Sequence, residues 1–229
     1  PYPYETVTPH REGFVERDGV RSWYAQYGEA GPWIAFAPIF QIANTHLLRA
    51  VVPWLSQHYR VLVMDLRGSG RSDRPTRQDQ YAFDHYFADF FAVLDRLEVE
   101  RAAIVGISAT AMTAIRLAHA QPQRVGQLVL VGGWVERKLD HPRMAEAVQQ
   151  NLARMRADWA GYLDEFFSIS FTEPHSTKAY EDAVRDQPLL DAVPADRPSA
   201  SSPSSAVVIS SIDSAMMVLS TVAGNETDC

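Results

Sequence analysis

The sequence predicts an α/β protein built on a doubly wound, mostly parallel sheet, followed by a helical excursion. Three observations carry that prediction. Apolar runs of strand length recur at 33–38, 59–66, 102–105 and 127–132, too hydrophobic to face water on either side. Helical patterns separate them. Glycine-punctuated turns follow the runs where a parallel sheet places its ligand-facing edge.

Composition sets the outer bounds. With 229 residues, 46% of them hydrophobic, the chain can bury one sizeable core. A formal charge of −7 argues against nucleic acid or an anionic membrane as the main partner. Cys229 is the single cysteine, so neither an intramolecular disulfide nor a cysteine metal site is expected. The start, PYPYETVTPH, has no Met and no signal-type apolar core, so the chain reads as an excerpted or processed piece and as cytoplasmic. No Phe, Tyr or Trp lies beyond Tyr180, and Pro188, Pro194, Pro198 and Pro203 sit among serines. That stretch, 188–205, reads as a linker.

In chain order, residues 13–28 read as a hairpin turning at Asp18-Gly19. WIAFAP (33–38) is a buried strand. An amphipathic helix is expected next, started by Asn44 or Thr45 and carrying Leu47, Leu48, Val51, Trp54 and Leu55. After the strand YRVLVMDL (59–66) comes the loop DLRGSGRSDRP (65–75), which lacks the lysine and spacing of a phosphate-binding loop. Phe83, Tyr86, Phe87, Phe90, Phe91, Leu94 and Leu97 mark a core-facing helical stripe, with Asp84, Asp89 and Asp95 expected off it.

The stretch RAAIVGISATAMTAIRLAHAQP (101–122) then supplies the candidate for chemistry. A strand runs to Gly106, Ser108 sits at the break, and an Ala-rich helix starts at Ala109 and stops before Pro122. A serine on a tight strand-to-helix turn has the geometry of a nucleophile elbow. By itself the turn fits equally a serine capping an ordinary helix. QLVLVG (127–132) is expected to be one more buried strand. Trp134–Gln187 reads as a helical excursion, with helices around Met144–Met155 and Tyr162–Phe167 and a third through Tyr180. The apolar stretch 206–224 contains Asp213 and interspersed Ser and Thr, which disfavours a membrane span; Ala206–Ser210 reads as a strand.

DLRGSGRSDRP, a helix with Asp89 in mid-course, a strand entering G-x-S, and then RVGQLVLVGG follow one another as in the α/β-hydrolase fold family, which residues 11–190 resemble. The resemblance implies a core over 1–133, a helical cap over 134–187 above the site, the linker at 188–205, and a partial, truncated return to the core over 206–229. It implies Ser108 as nucleophile, with the amides of Ala109 and Ile39 as oxyanion donors and Asp213 as triad acid. It also implies a small ester, lactone or related acyl substrate and no cofactor or metal. A serine, where epoxide hydrolases and dehalogenases of the fold carry a carboxylate, implies acyl transfer.

Three features depart from the family pattern. Thr110 stands where G-x-S-x-G has its second glycine, and Ala37-Pro38 replaces a His-Gly pair. No histidine follows Asp213 in the sequence, although family order places the base there. All seven histidines precede it: His10, His46, His58, His85, His119, His141 and His175. Of these, His46 and His175 are expected nearest the pocket, and the base stays unassigned. The expectation is an impaired serine hydrolase. Its rivals are a ligand-sensing module that does not turn its ligand over, and a truncated fragment of a hydrolase. Substrate identity and oligomeric state are open.

Overall fold

A computed structural model describes residues 7–38, 45–132, 150, 153–155 and 157–170. The chain divides into two compact units, Pro1–Val135 and Glu136–Cys229. In the first, a hairpin of β1 (Arg11–Arg17) and β2 (Val20–Tyr27) turns through Asp18 and Gly19, with φ of 55° and 73°. Two successive left-handed residues match the twist of the flanking strands. β3 (Trp33–Phe36), β4 (Arg60–Met64), β5 (Ala102–Ile107) and β6 (Val125–Val131) complete a six-stranded sheet ordered β1-β2-β4-β3-β5-β6. The β1-β2 and β2-β4 pairs are antiparallel, and the other three are parallel.

Side-chain alternation explains why the central runs are continuously apolar. Leu62 and Met64 of β4 pack with Ala35, Ile104, Phe90, Leu94 and Leu117 on one face. Val61 and Val63 pack with Trp23, Phe36, Leu48 and Val52 on the other. Helices α2 (Phe83–Arg96) and α3 (Thr110–Ala120) supply the first cluster, and α1 (Val52–Leu55) the second. The connection leaving β3 therefore passes one face, while the helix after β5 lies on the other. β4 and β6 lie to opposite sides of the β3-β5 pair. Such a switch opens a crevice between the carboxyl ends of two adjacent strands, here β3 and β5.

Four expectations need correction. The continuous helix after residue 44 is a 3₁₀ turn (Thr45–Leu48) and the four-residue α1, because Pro53 has no N–H to extend a helix and restricts the residue before it. Val51 and Trp54 are accordingly exposed, Trp54 at 65%. Gly106 does not end its strand, which continues to Ile107. β6 is not buried, for Leu128–Val131 are 39–51% exposed and no described strand flanks its outer edge. Asp89, expected off the apolar face of its helix, is 1% exposed.

The carboxylate of Asp89 receives Nε and Nη2 of the fully buried Arg67, both at 2.7 Å. Ser22 Oγ at 3.0 Å and Arg17 Nη1 at 3.2 Å complete its shell, and Arg67 Nη1 donates to the Gln80 carbonyl. A paired and fully hydrogen-bonded ion pair is the form in which such charges are tolerated inside a protein.

In the second unit, Asp158 Oδ1 accepts the Gly161 N–H at 2.9 Å and so caps α4 (Trp159–Ser170). Met155, Tyr162, Leu163 and Phe167 are buried, Arg154 pairs with Glu165, and Trp159 stacks on Tyr162. Residues 150 and 153–155 of the helix expected around Met144–Met155 are helical; the rest of that helix, the third helix expected through Tyr180, the linker at 188–205 and the strand at 206–210 lie outside the described residues. Among the described residues no helix is long and apolar enough to cross a membrane.

The buried ion pair generates a stability prediction. Replacing Asp89 by Ala strands the Arg67 charge and is expected to cost about 3–5 kcal/mol in urea unfolding. The double variant Arg67→Met/Asp89→Leu, which removes both charges, is expected to lie closer to wild type than either single variant does.

Candidate active site

The turn that carries Ser108 follows β5 at the carboxyl end of the β3-β5 pair. Ser108 has φ of 54°, and the other non-glycine residues with positive φ among those described are Asp18 and Glu98. Left-handed backbone at a residue with a Cβ costs roughly 1–3 kcal/mol and persists only where the surroundings over-determine it. Here they do. The Ser108 N–H donates to the Val131 carbonyl at 2.8 Å, and the Ser108 carbonyl accepts the Ala111 N–H at 3.1 Å. Both main-chain groups are held, and Ser108 as a whole is exposed.

α3 can follow this closely because residue 106 is glycine. A Cβ there would lie 2.6 Å from Ala111 Cα and 2.7 Å from the Thr110 carbonyl oxygen. Ala109 is the residue preceding α3 and is nearly buried, with no side-chain cap. The first-turn amides of a helix have no partners within it and carry its positive dipole end, so this corner favours negative charge. Thr110, which departs from the glycine pattern, fits because its side chain folds back. Its Oγ1 accepts the Ile107 N–H at 2.8 Å and donates to the Ile107 carbonyl at 3.0 Å.

The loop leaving β4 borders the same end of the sheet. Asp65 is 3% exposed, and its carboxylate accepts the backbone N–H groups of Thr45 and Arg71, each at 3.0 Å. It ties the start of the 3₁₀ turn to the glycine loop, and a side chain at residue 70 would overlap it. Ser72 Oγ bridges the Asp65 carbonyl and the Trp23 N–H. Asp73 receives the Arg21 backbone N–H and guanidinium at 2.9–3.1 Å.

Topology sorts the histidines. His10 and His58 lie at the amino ends of the parallel strands, away from Ser108: His10 bonds to the end of β2, and His58 lies two residues before β4. His85 sits 3.4 Å from Asp18 at the hairpin turn, with β4 and β3 between β2 and β5. His119 is at the far end of α3, about 15 Å along the helix at 1.5 Å per residue. His46 follows Thr45, which Asp65 holds at the carboxyl end of β4, one strand from β3. His46 is therefore the described histidine that, with His85, belongs to the Ser108 end of the sheet, and it is the one on the near side. Ile39, Asp213, His141 and His175 lie outside the described residues. Among those described, no group of three or more His, Cys, Asp or Glu side chains could hold a metal ion.

Reading by sequence missed three supports: Asp65, the Thr110 clamp and the Asp89 pair. Only the last left a signal. Asp89 stands three residues after Tyr86 and four before Val93, within the helix's own apolar stripe.

A family model described as alpha/beta hydrolase fold matches residues 39–200. Epoxide hydrolase 4 of Mus musculus is 30% identical over 121 residues, which are 51% of this chain and 33% of that protein. The 2-hydroxymuconate semialdehyde hydrolase of Pseudomonas sp. strain CF600 is 42% identical over 84 residues, 37% of this chain and 29% of its own. Each match thus spans about a third of the relative's length. Among solved structures, Est816, an N-acyl homoserine lactone degrading enzyme, superposes with a TM-score of 0.64 at 27% identity, covering 86% of this chain and 74% of its own.

Two outcomes follow from the site's supports. Gly106→Ala, whose new methyl meets backbone rather than a movable side chain, is expected to destabilise the fold by about 1–3 kcal/mol in urea unfolding. The second concerns pH. Its hydrogen bond with Arg21 holds the Asp73 carboxyl below the usual carboxylate range. That stabilisation is therefore complete above about pH 4 and is lost as pH falls through the lowered native value. The stability difference between wild type and Asp73→Asn, measured by urea unfolding from pH 7 downwards, is expected to hold to about pH 4 and shrink below it.

Proposed function

From the premise that the chain belongs to the α/β-hydrolase fold family, we propose that it is a serine hydrolase acting on a small ester, lactone or related acyl compound. One observation carries the reading: an exposed serine held at φ 54°, at the carboxyl end of β5, with the amino end of an eleven-residue helix directly behind it. A hydroxyl there can attack a carbonyl carbon while the new oxyanion faces helix amides.

In this reading Ser108 forms the acyl-enzyme and a histidine takes its proton. The Ala109 amide, with Ile39 as second donor, holds the oxyanion. Asp213 is the acid we assign, and His46 is the described histidine on the near side of the sheet. Attack by a hydroxyl on an acyl carbon releases the alcohol portion, and water then returns the free acid and the hydroxyl. No cofactor enters these steps. A serine at this turn favours acyl chemistry over the carboxylate chemistry expected of the fold's epoxide hydrolases. The lactone-degrading relative Est816, similar over most of its length, supports the same substrate class.

A second reading, a module that binds such a ligand without turning it over, is favoured by Pro38, which offers no N–H at the start of the loop where a second oxyanion donor is sought.

Exposure to a fluorophosphonate, followed by intact mass, separates the two. The serine hydrolase is expected to gain a single label that Ser108→Ala abolishes, and that variant is expected to lose hydrolysis of short-chain esters and lactones by several orders of magnitude. A folded protein that takes no label belongs to the second reading.

A further inference from the structure

We propose that Thr110 is a positioning residue whose hydroxyl takes the place of a sheet neighbour that the described residues do not supply at the end of β5, and thereby fixes the turn presenting Ser108. The inference rests on the assignment of Ser108 as nucleophile.

Along a strand, the N–H and C=O of one residue point to the same side, and residues two apart share that side. The Val105 carbonyl accepts the Ala37 N–H at 2.8 Å, so Val105 faces β3. Ile107, two residues on, presents its own N–H and C=O to the same flank. β3 has ended at Phe36, and its pairing with β5 stops at Val105. The Ile107 amide is instead bonded within its own segment. Thr110 Oγ1 takes the Ile107 N–H at 2.8 Å and returns its proton to the Ile107 carbonyl at 3.0 Å, so one hydroxyl closes both bonds. The residue is only 5% exposed, which leaves water a poor substitute.

The consequence reaches Ser108 through the backbone. Its left-handed conformation is held on the β6 side by Val131, on the helix side by Ala111, and on the β3 side by the clamp on its neighbour Ile107. The first two restraints are main chain to main chain. The third belongs to a side chain and can be removed without touching the rest. Among the described residues, glycine at position 110 would leave the Ile107 amide and carbonyl without these bonds, so the threonine serves the turn.

The test compares wild type with Thr110→Val, which keeps the shape and deletes the hydroxyl, and with Thr110→Ser, which keeps the hydroxyl. The readouts are the rate of fluorophosphonate labelling at Ser108, its pH profile, and hydrogen exchange at the Ile107 amide. Thr110→Val, which loses both bonds to Ile107, is expected to label about tenfold more slowly and to exchange the Ile107 amide faster. Thr110→Ser is expected to restore both. If Thr110→Val does not fold, Thr110→Gly takes its place. Wild-type labelling rate and pH profile in the valine variant overturn the proposal, as does unchanged Ile107 exchange. If wild type itself takes no label, the nucleophile assignment fails, and Ile107 exchange alone then decides whether the clamp exists.

Discussion

Asp89 brings a carboxylate into the apolar stripe of α2, and three segments of the first unit converge on it. Arg67 reaches it from the loop after β4, Arg17 from β1 and Ser22 from β2, while Arg67 also holds the Gln80 carbonyl ahead of α2. A guanidinium with no exposed surface has no alternative partner in solvent, so the loop that carries it has one place to sit. The antiparallel hairpin, the β4 loop and the helix over the sheet are thereby fixed to one another. The rest of the glycine loop follows from that anchor: Ser72 reaches β2, Asp73 reaches Arg21, and Asp65 gathers Thr45 and Arg71.

The same end of the sheet holds the candidate chemistry, for a topological reason. Reversal of strand order between β3 and β5 parts the chain at their carboxyl ends, and the strained serine lies at that break. Strain and hydrogen bonding are complementary there. A left-handed residue with a side chain is unfavourable by itself, but Gly106 lets α3 approach and the bonds to Val131 and Ala111 hold the turn. The hydroxyl is displayed because its backbone has nowhere else to go.

Family membership and local geometry bear on different questions. The matched family fixes the architecture, and the relatives range over epoxide, semialdehyde and lactone chemistry. A fold shared by such chemistries does not choose among them. In the function proposed for this chain, the serine at the turn after β5 narrows the field, since a hydroxyl and a carboxylate at the same point attack different kinds of carbon.

Much of this was determined by the sequence alone. Two-sided burial requires unbroken apolar runs, so the strands around Leu62 and Ile104 were legible without a structure. Asp18-Gly19 announced its hairpin because few residues accept two left-handed conformations, and the GIS turn announced its serine. Contacts between segments far apart in the chain were not legible. Asp89 and Arg67 are 22 residues apart, and only packing showed that both charges are buried together. Thr110 departs from the glycine pattern in the sequence, and only the folded turn brings its hydroxyl back to Ile107. Exposure of β6 likewise depended on which strands lie beside it, which no local pattern encodes. Periodicity and turn chemistry act over a few residues and are written in order along the chain, whereas the partner of a buried charge or an unpaired amide is chosen by the fold.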